Sequence, residues 1–311
     1  MRLSSSMIYQ QNMNGVLDAQ SEWQRVGAQL DSGKKVINPS DDPLAASQLV
    51  GLNQSKSMNE QYGMARGYAR ESTSMEESVL QQVTNVLQNA TPVLVDGMSS
   101  GTKSDEDRAA IATQLSSMRN QLLNLANSTD GNGRYIFAGY KSNAEPFVKE
   151  ASGEIKYVGG KKALTQQVDA ARTMIVSHTG DHVFKSDNGK KDIFAALQKA
   201  ITALNQPLDK ATDADKAKVA QALNEANTGL RASLDNVAKV RAELGTQLNE
   251  LDSLDAIGEE NAITFKTRIS GLQDVNWTQA ISDYTFRQVS LQASYKVFTD
   301  MQGMSLFKMM R

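Results

Sequence analysis

Two stretches of heptad spacing, far apart in the chain, constrain this sequence most. Met58, Tyr62, Ala65, Ala69, Ser72, Glu76, Val79, Val83, Val86, Ala90 and Val93 follow one another in alternating steps of four and three. So do Leu223, Ala226, Leu230, Ser233, Val237, Val240, Leu244, Gln247, Leu251 and Leu254. Such spacing keeps one face of a helix apolar over many turns and asks for a helical partner of similar length. The two seams satisfy each other only if the chain folds back between them. That predicts a mainly α, long coiled-coil-like helical rod made from N- and C-terminal arms, both termini at one end and a small β insert at the other. Val79, Val83, Val86, Val237, Val240 and Leu244 are its expected core, with Leu80, Leu87 and Leu94 widening the first stripe.

Capping residues mark where these helices begin. Asp42 before Pro43 is a strong start, because Asp caps free N–H groups and Pro in the first turn loses no hydrogen bond. The helical pattern then runs to about Asp96, roughly 80 Å at the rise of an α-helix, with a kink expected at Pro92. Ser104 with Asp107, and Thr212 with Asp215, read as capping boxes for two further helices. The first of these carries Ile111, Leu115, Met118, Leu122 and Leu125 along one stripe. In the second, phase is lost near Gly258, so a break or stutter is expected there. The pattern resumes from Asn261 to Leu272, and Gln273 to Asn276 reads as a turn.

The texture changes at Asp130. Asp-Gly-Asn-Gly is turn chemistry. Short strands are expected over Arg134 to Tyr140, Glu154 to Val158, Thr165 to Val168, Arg172 to His178 and His182 to Lys185. A short helix follows from Asp192 to Leu204.

The ends of the chain are unusual. Ser4 to Leu30 reads as a helix with a poor seam of Met13, Leu17, Gln20, Trp23, Gly27 and Leu30, marginal without a partner surface. Trp277 to Arg311 reads as a helix with more apolar residues than one stripe holds. Ile281, Tyr284, Leu291, Tyr295 and Phe298 form a seam, whereas Phe286, Val289, Ala293 and Val297 fall on other faces. A helix apolar on several sides is normally buried on several sides. One poor stripe cannot cover it, and the surplus predicts packing between molecules. The expected assembly interface is Leu17, Trp23 and Leu30 with Ile281, Tyr284, Phe286, Val289, Leu291, Tyr295, Phe298, Met301 and Leu306. Both ends are expected to be open to protease in the monomer.

Composition narrows the functional classes. A net charge of -2 over 311 residues leaves no electrostatic footprint for nucleic acid or an acidic membrane. With no cysteine, disulfides, thiolate metal sites and cysteine nucleophiles are excluded together. No apolar run suits a signal peptide or a membrane span, so a soluble chain without a cleaved leader is expected. His178 and His182 have the H-x-x-x-H spacing that chelates a metal on a helix face. Gly180 and the β-branched surroundings instead suggest strand-turn-strand, and no Glu follows the first His, so no metal site is expected. In Asp130-Gly-Asn-Gly, Arg134 stands where a calcium ligand belongs. Gly159-Gly-Lys-Lys lacks the spacing of a phosphate loop, and no G-x-S-x-G elbow occurs. Neither an enzyme nor a cofactor is expected.

Several stretches carry a resemblance. Leu30-Asp-Ser-Gly-Lys-Lys-Val-Ile-Asn-Pro-Ser-Asp-Asp-Pro43 resembles the signature closing the N-terminal segment of flagellins and flagellar hook-associated proteins. Arg241-Ala-Glu-Leu-Gly245, Ile269-Ser-Gly-Leu-Gln-Asp-Val275 and Leu291-Gln-Ala-Ser-Tyr295 resemble the matching C-terminal segments. Ser128 to Tyr140, Pro146-Phe147 and the ending Phe298 to Phe307 are similar to the shorter of the family's two junction proteins rather than to flagellin itself. The resemblance implies a structural adaptor joining hook to filament, between hook-associated protein 1 and flagellin; the alternative is a flagellin that forms the filament. It implies a terminal-helix inner tube (1–42 with 274–311), a helical rod layer (43–130 with 191–273) and an outer β domain (131–190). Asn38, Asp41, Asp42 and Pro43 would form the hinge between inner and rod layers. Arg241 and Asp274 fall on matched positions. The resemblance further implies partners in its own subunits and in an export chaperone on the C-terminal segment. It implies passage through the flagellar type III channel to an extracellular site.

Overall fold

The computed structural model describes residues 5–99, 103–151, 153–186, 191–209 and 211–309, with side chains left out of account at Ser5, Ser6, Ile8, Ser186, Lys191 and 303–309. Seven α-helices and three two-stranded antiparallel pairs are found among these residues. The chain divides into two compact units, residues 1–59 with 259–311 and residues 60–258. In each unit an N-terminal and a C-terminal arm meet, as the paired seams require.

Residues 60–258 hold the large core. Helices α2 (Pro43–Gly97), α3 (Asp105–Ala126), α5 (Ile193–Leu204) and α6 (Asp213–Gln273) supply it. Leu80, Val83, Leu87, Ala90 and Leu94 of α2 pack in one cluster with Ile111, Leu115 and Leu122 of α3 and with Leu223, Leu230, Val237, Val240 and Leu244 of α6. The α6 seam is as expected, including its polar member Ser233. In α2 alternate seam members move on by one residue, while Ala69, Glu76, Val79, Val83 and Ala90 are buried as expected. Arg66, Ala69, Thr73, Glu76, Leu80, Val83, Leu87, Ala90 and Leu94 are buried, while Ser72 is exposed and Val86 and Val93 are only partly covered. Met58 is exposed. The leucines read as widening the stripe are its centre, because they fill the gap between helices better than the neighbouring valines.

The capping boxes form as expected. The Ser104 hydroxyl accepts from the Asp107 amide at 3.1 Å and the Asp107 carboxylate from the Ser104 amide at 3.2 Å. The Thr212 hydroxyl accepts from the Asp215 amide. Helix α2 runs through Pro92. No break occurs at Gly258: α6 is continuous, and Gly258 is itself buried. The partly or fully covered apolar positions, with Gly258, run Leu251, Leu254, Gly258, Ala262, Phe265, Ile269, Leu272. Two successive steps of four there are a stutter, which resets the phase without ending the helix.

The segment between α3 and α5 departs most from expectation. Asp130 makes the expected turn, its carboxylate accepting from the amides of Asn132 and Arg134 at 2.8 Å each. Arg134 to Tyr140 does not form a strand; Ile136–Lys141 is a 3₁₀ helix. Gly139 within it has φ +57°, and a Cβ there would stand 2.6 Å from the Lys162 carbonyl oxygen. An apolar run interrupted by such a residue cannot pair as a strand. Strands β1 (Phe147–Lys149) and β2 (Ile155–Tyr157) form one pair, and β3 (Leu164–Asp169) and β4 (Arg172–Ser177) a second. His182 to Lys185 is not a strand either, since Gly180–Phe184 forms the single turn α4; the last pair is β5 (Lys185–Ser186) with β6 (Lys191–Asp192). The aromatic side chains gather here. The Phe147 ring centroid lies 5.2–5.4 Å from those of Tyr157, Phe184 and Phe194 in tilted or edge-on contact, joining the insert to the helical core without a continuous sheet.

The β3–β4 hairpin leans on helices of its own unit. Val168 and Met174 cluster with Ala69 and Leu251, and Arg172 forks onto Glu250 at 2.6 and 2.7 Å. Arg66, polar in a seam position, donates to the Val168 carbonyl and to the Asp255 carboxylate. Arg241 forks onto Glu77 at 2.8 and 3.1 Å. Both bonds link the N-terminal arm to the C-terminal arm.

Candidate assembly interface

Residues 1–59 with 259–311 form a much thinner structure. Helices α1 (Ser5–Ser32) and α7 (Trp277–Met309) pack along each other, with Trp23 against Tyr284 at 5.6 Å between rings and Tyr9 against Phe298 at 5.2 Å. Among the described residues of the two helices, only Val16, Val26 and Ala280 are hydrophobic and fully buried. The Trp23 indole N–H is buried without an acceptor, which opposes the gain from burying the ring.

The covered positions reveal the true seams. On α1 Asn12, Val16, Ala19, Trp23, Val26, Leu30 and Gly33 follow steps of four and three, and Met13, Gln20 and Gly27 of the expected seam are partly covered beside them. Leu17, expected to face inward, is 55% exposed; its neighbour Val16 holds the position. On α7 they are Ala280, Tyr284, Arg287, Leu291, Ser294, Phe298 and Met301, again in steps of four and three, with Ser290 beside them. The Arg287 guanidinium reaches toward Glu22, 3.8 Å away. Ile281 and Tyr295 are exposed, against expectation, because each lies one residue away from the face that α1 covers. Leu306 lies outside the described side chains.

What remains on α7 is a second apolar face. Phe286, Val289 and Val297 are 67%, 58% and 53% exposed, and Ala293 is exposed with them. Their spacing of three, four and four puts all four residues on one side of the helix, away from α1. Ile281 and Trp277 add further exposed apolar surface. Helix α7 therefore has one face satisfied within the chain and one that is not.

Between α1 and α2 the chain makes a tied turn. Gly33, at φ +66°, ends α1 and pairs with the other arm: Lys35 donates its amide to Gln273 O at 2.6 Å, and Val275 donates to Gly33 O at 3.0 Å. Lys34 and Asp274 form an isolated antiparallel bridge, which gives the matched position Asp274 a backbone role. The Asp41 carboxylate accepts from the Asn38 amide at 2.8 Å and the Ile37 amide at 3.1 Å. The Asn38 bond, then the Ile37 bond, hold its acid below the ordinary range. The Asp42 carboxylate accepts from the Ala45 amide at 3.0 Å and so caps α2. Beside this turn Val36, Ala45 and Leu49 form a small cluster with Ile269 and Leu272. The four residues read as a hinge thus sit in a turn organised by two carboxylates. Among the described residues no helix is long and apolar enough to cross a membrane.

Comparison with known proteins agrees with this architecture. Residues 3–142 match the family described as the bacterial flagellin N-terminal helical region. The chain is similar to the flagellar hook-associated protein 3 of Salmonella typhimurium, 50% identical over 322 residues and covering 100% of both chains. It is similar to the flagellar hook-associated protein 3 of Escherichia coli strain K12, 51% identical over 320 residues and covering 99% of each. Its fold resembles the crystal structure of the flagellar junction protein FlgL from Legionella pneumophila, with a TM-score of 0.61 and 18% identity over 73% of this chain and 100% of that one.

Proposed function

Because the chain belongs to the flagellar hook-associated protein 3 family, we propose that it is a structural adaptor of the bacterial flagellum, assembling between hook-associated protein 1 and the flagellin filament to form the hook–filament junction. The observation that carries the mechanism is the two-sided α7. Its Ala280–Met301 seam binds α1, and its Phe286–Val289–Ala293–Val297 face is left for neighbouring subunits. A marginal intramolecular pair suits that role. Burying the open face of each copy against the next adds the apolar area that a single chain cannot supply.

In this reading the terminal helices (1–42 with 274–311) form an inner tube, the long helices (43–130 with 191–273) a surrounding rod layer, and 131–190 the outer β domain. The turn at Asn38, Asp41, Asp42 and Pro43 is the hinge between tube and rod, stiffened by its carboxylate bonds. Hook-associated protein 1 and flagellin are the axial neighbours, and copies of the chain are the lateral ones. Before assembly the open α7 face needs a cover, which an export chaperone on the C-terminal segment provides during passage through the type III channel. The activity proposed is structural, with no catalysis.

The test is a chain lacking residues 286–311, expressed in cells without their own copy. The expected result is a folded protein absent from purified hook–filament particles. Normal filament attachment with this deletion would overturn the proposal. Purified full-length protein that grows long filaments from its own seeds would favour a flagellin instead.

A further inference from the structure

The chain has two histidines and no cysteine, and the fold brings both histidines together. Strand β4 ends at Ser177; His178 follows, buried, and His182 lies in α4 with its side chain exposed. The two rings stack with centroids 5.6 Å apart. Asn236 of α6 donates to the carbonyls of His182 and Val183 at 3.0 and 2.9 Å, which pins α4 two turns before Glu243. A ring nitrogen of each histidine and a carboxylate oxygen of Glu243 all lie within 4.8 Å of one another. The expectation of strand-turn-strand geometry, which spoke against a metal site, fails because Gly180–Phe184 is helical.

A second carboxylate lies behind His178. Glu76 of α2 is fully buried, 3.0 Å from the His178 Nδ1 and accepting from the His178 amide at 3.1 Å. Glu76 occupies the Nδ1 side of the ring, which leaves Nε2 as the nitrogen turned toward other groups. Nε2 faces Glu243 Oε2 at 3.7 Å. A carboxylate holding one imidazole nitrogen while the other faces further ligands is the arrangement of histidine–metal sites.

We propose that His178 Nε2, His182 and Glu243 bind a divalent transition ion, zinc foremost, with Glu76 as the outer carboxylate that orients His178. Two imidazoles and one carboxylate select zinc and its transition-metal neighbours over magnesium or calcium. Around a tetrahedral zinc with bonds of about 2.0–2.1 Å, ligand atoms stand ~3.3 Å apart. The separations, all within 4.8 Å, must close by up to ~1.5 Å, which rotation of the exposed His182 and Glu243 side chains supplies. Water completes the shell. The ion would tie the β4–α4 corner to α6 beside the bonds that Asn236 already makes there.

The test uses full-length, untagged protein freed of metal by chelation and titrated with zinc chloride. The two imidazoles are followed by NMR, with calorimetry for stoichiometry and a thermal melt alongside. One zinc per chain is expected, shifting both histidine signals and raising Tm by several degrees. His182→Ala and Glu243→Ala should each weaken binding at least tenfold and leave the metal-free melt unchanged, because both side chains are exposed. Glu76→Gln should weaken it about 10–100-fold; if that variant misfolds, the two exposed variants decide. Absence of stoichiometric binding by the folded wild type would overturn the proposal. So would undiminished binding by both exposed variants, leaving the cluster an ion-pair arrangement only.

Discussion

If the open face of α7 is an assembly surface, truncating it should spare the monomer and cripple the polymer. The perturbation is Phe286→Ala with Val289→Ala and Val297→Ala. In the isolated chain these side chains are 67%, 58% and 53% exposed, so little packing is lost, and alanine is a better helix former than any of them. In an assembly that buries the face, the exposed share of each is what burial gains. At about 1.5–3 kcal/mol for a fully buried apolar side chain, the three together account for about 3 kcal/mol per subunit. That corresponds to roughly a hundredfold loss of subunit affinity. The assay compares the amount of variant in purified hook–filament particles with the amount exported, while circular dichroism follows the melt of purified monomer. The expected outcome is an unchanged melt with incorporation reduced by at least tenfold. Wild-type incorporation at equal export would refute the reasoning, as would a lowered monomer melt, which would mean the face is covered within the chain.

Three further outcomes test the rest of the structure. Hydrogen exchange and limited proteolysis should find α1 and α7 opening well before residues 60–258, because their pairing buries few side chains fully; equal protection would show a stable terminal pair. Gly139→Ala should destabilise residues 60–258 by about 1–3 kcal/mol in urea unfolding, since a left-handed backbone and a carbonyl 2.6 Å from the new Cβ oppose it, and a neutral effect would refute that geometry. For Asp255, burial pushes the acid up, but Arg66 and Arg70 outweigh it and the net shift is downward. A depressed carboxylate stabilises above its unfolded value of 3.8 and loses that contribution as pH falls through the folded value. Asp255→Asn should therefore cost stability at neutral pH and progressively less below pH ~4; a cost independent of pH would remove the charge from the account.

The sequence made some parts of this fold far easier to read than others. The α6 seam was legible in full because its apolar residues alternate with polar ones, leaving one possible phase. In α2 two adjacent columns are apolar, Val79, Val86 and Val93 beside Leu80, Leu87 and Leu94, and period alone cannot choose between them. Size chose the leucines. Arg66 was invisible as a seam member because its partner, Asp255, lies far along the chain, and Glu76, placed on the seam by spacing, gave no sign of its partner His178. The Arg134 to Tyr140 block has the composition of a strand, but Gly139 and the carbonyls packed around it make it a turn of helix.

The terminal helices show why the candidate site was harder still. Choosing the most apolar residues as the seam is sound when a helix has one partner. Helix α7 inverts the rule in part: Tyr284, Leu291 and Phe298 face α1 as expected, but Ala280, Arg287 and Ser294 complete that contact while Phe286, Val289 and Val297 stay outside it. A small and partly polar contact is what a pair meant to be reinforced by others needs. Were the intramolecular seam the richer one, the chain would be a finished bundle and its polymer would gain little. The same inversion explains Leu17 beside Val16: the larger side chain is the one left exposed. Surplus apolar surface on the wrong side of an otherwise regular seam is thus the feature that separates an unfinished interface from a core, and it can be read only once the seam has been placed.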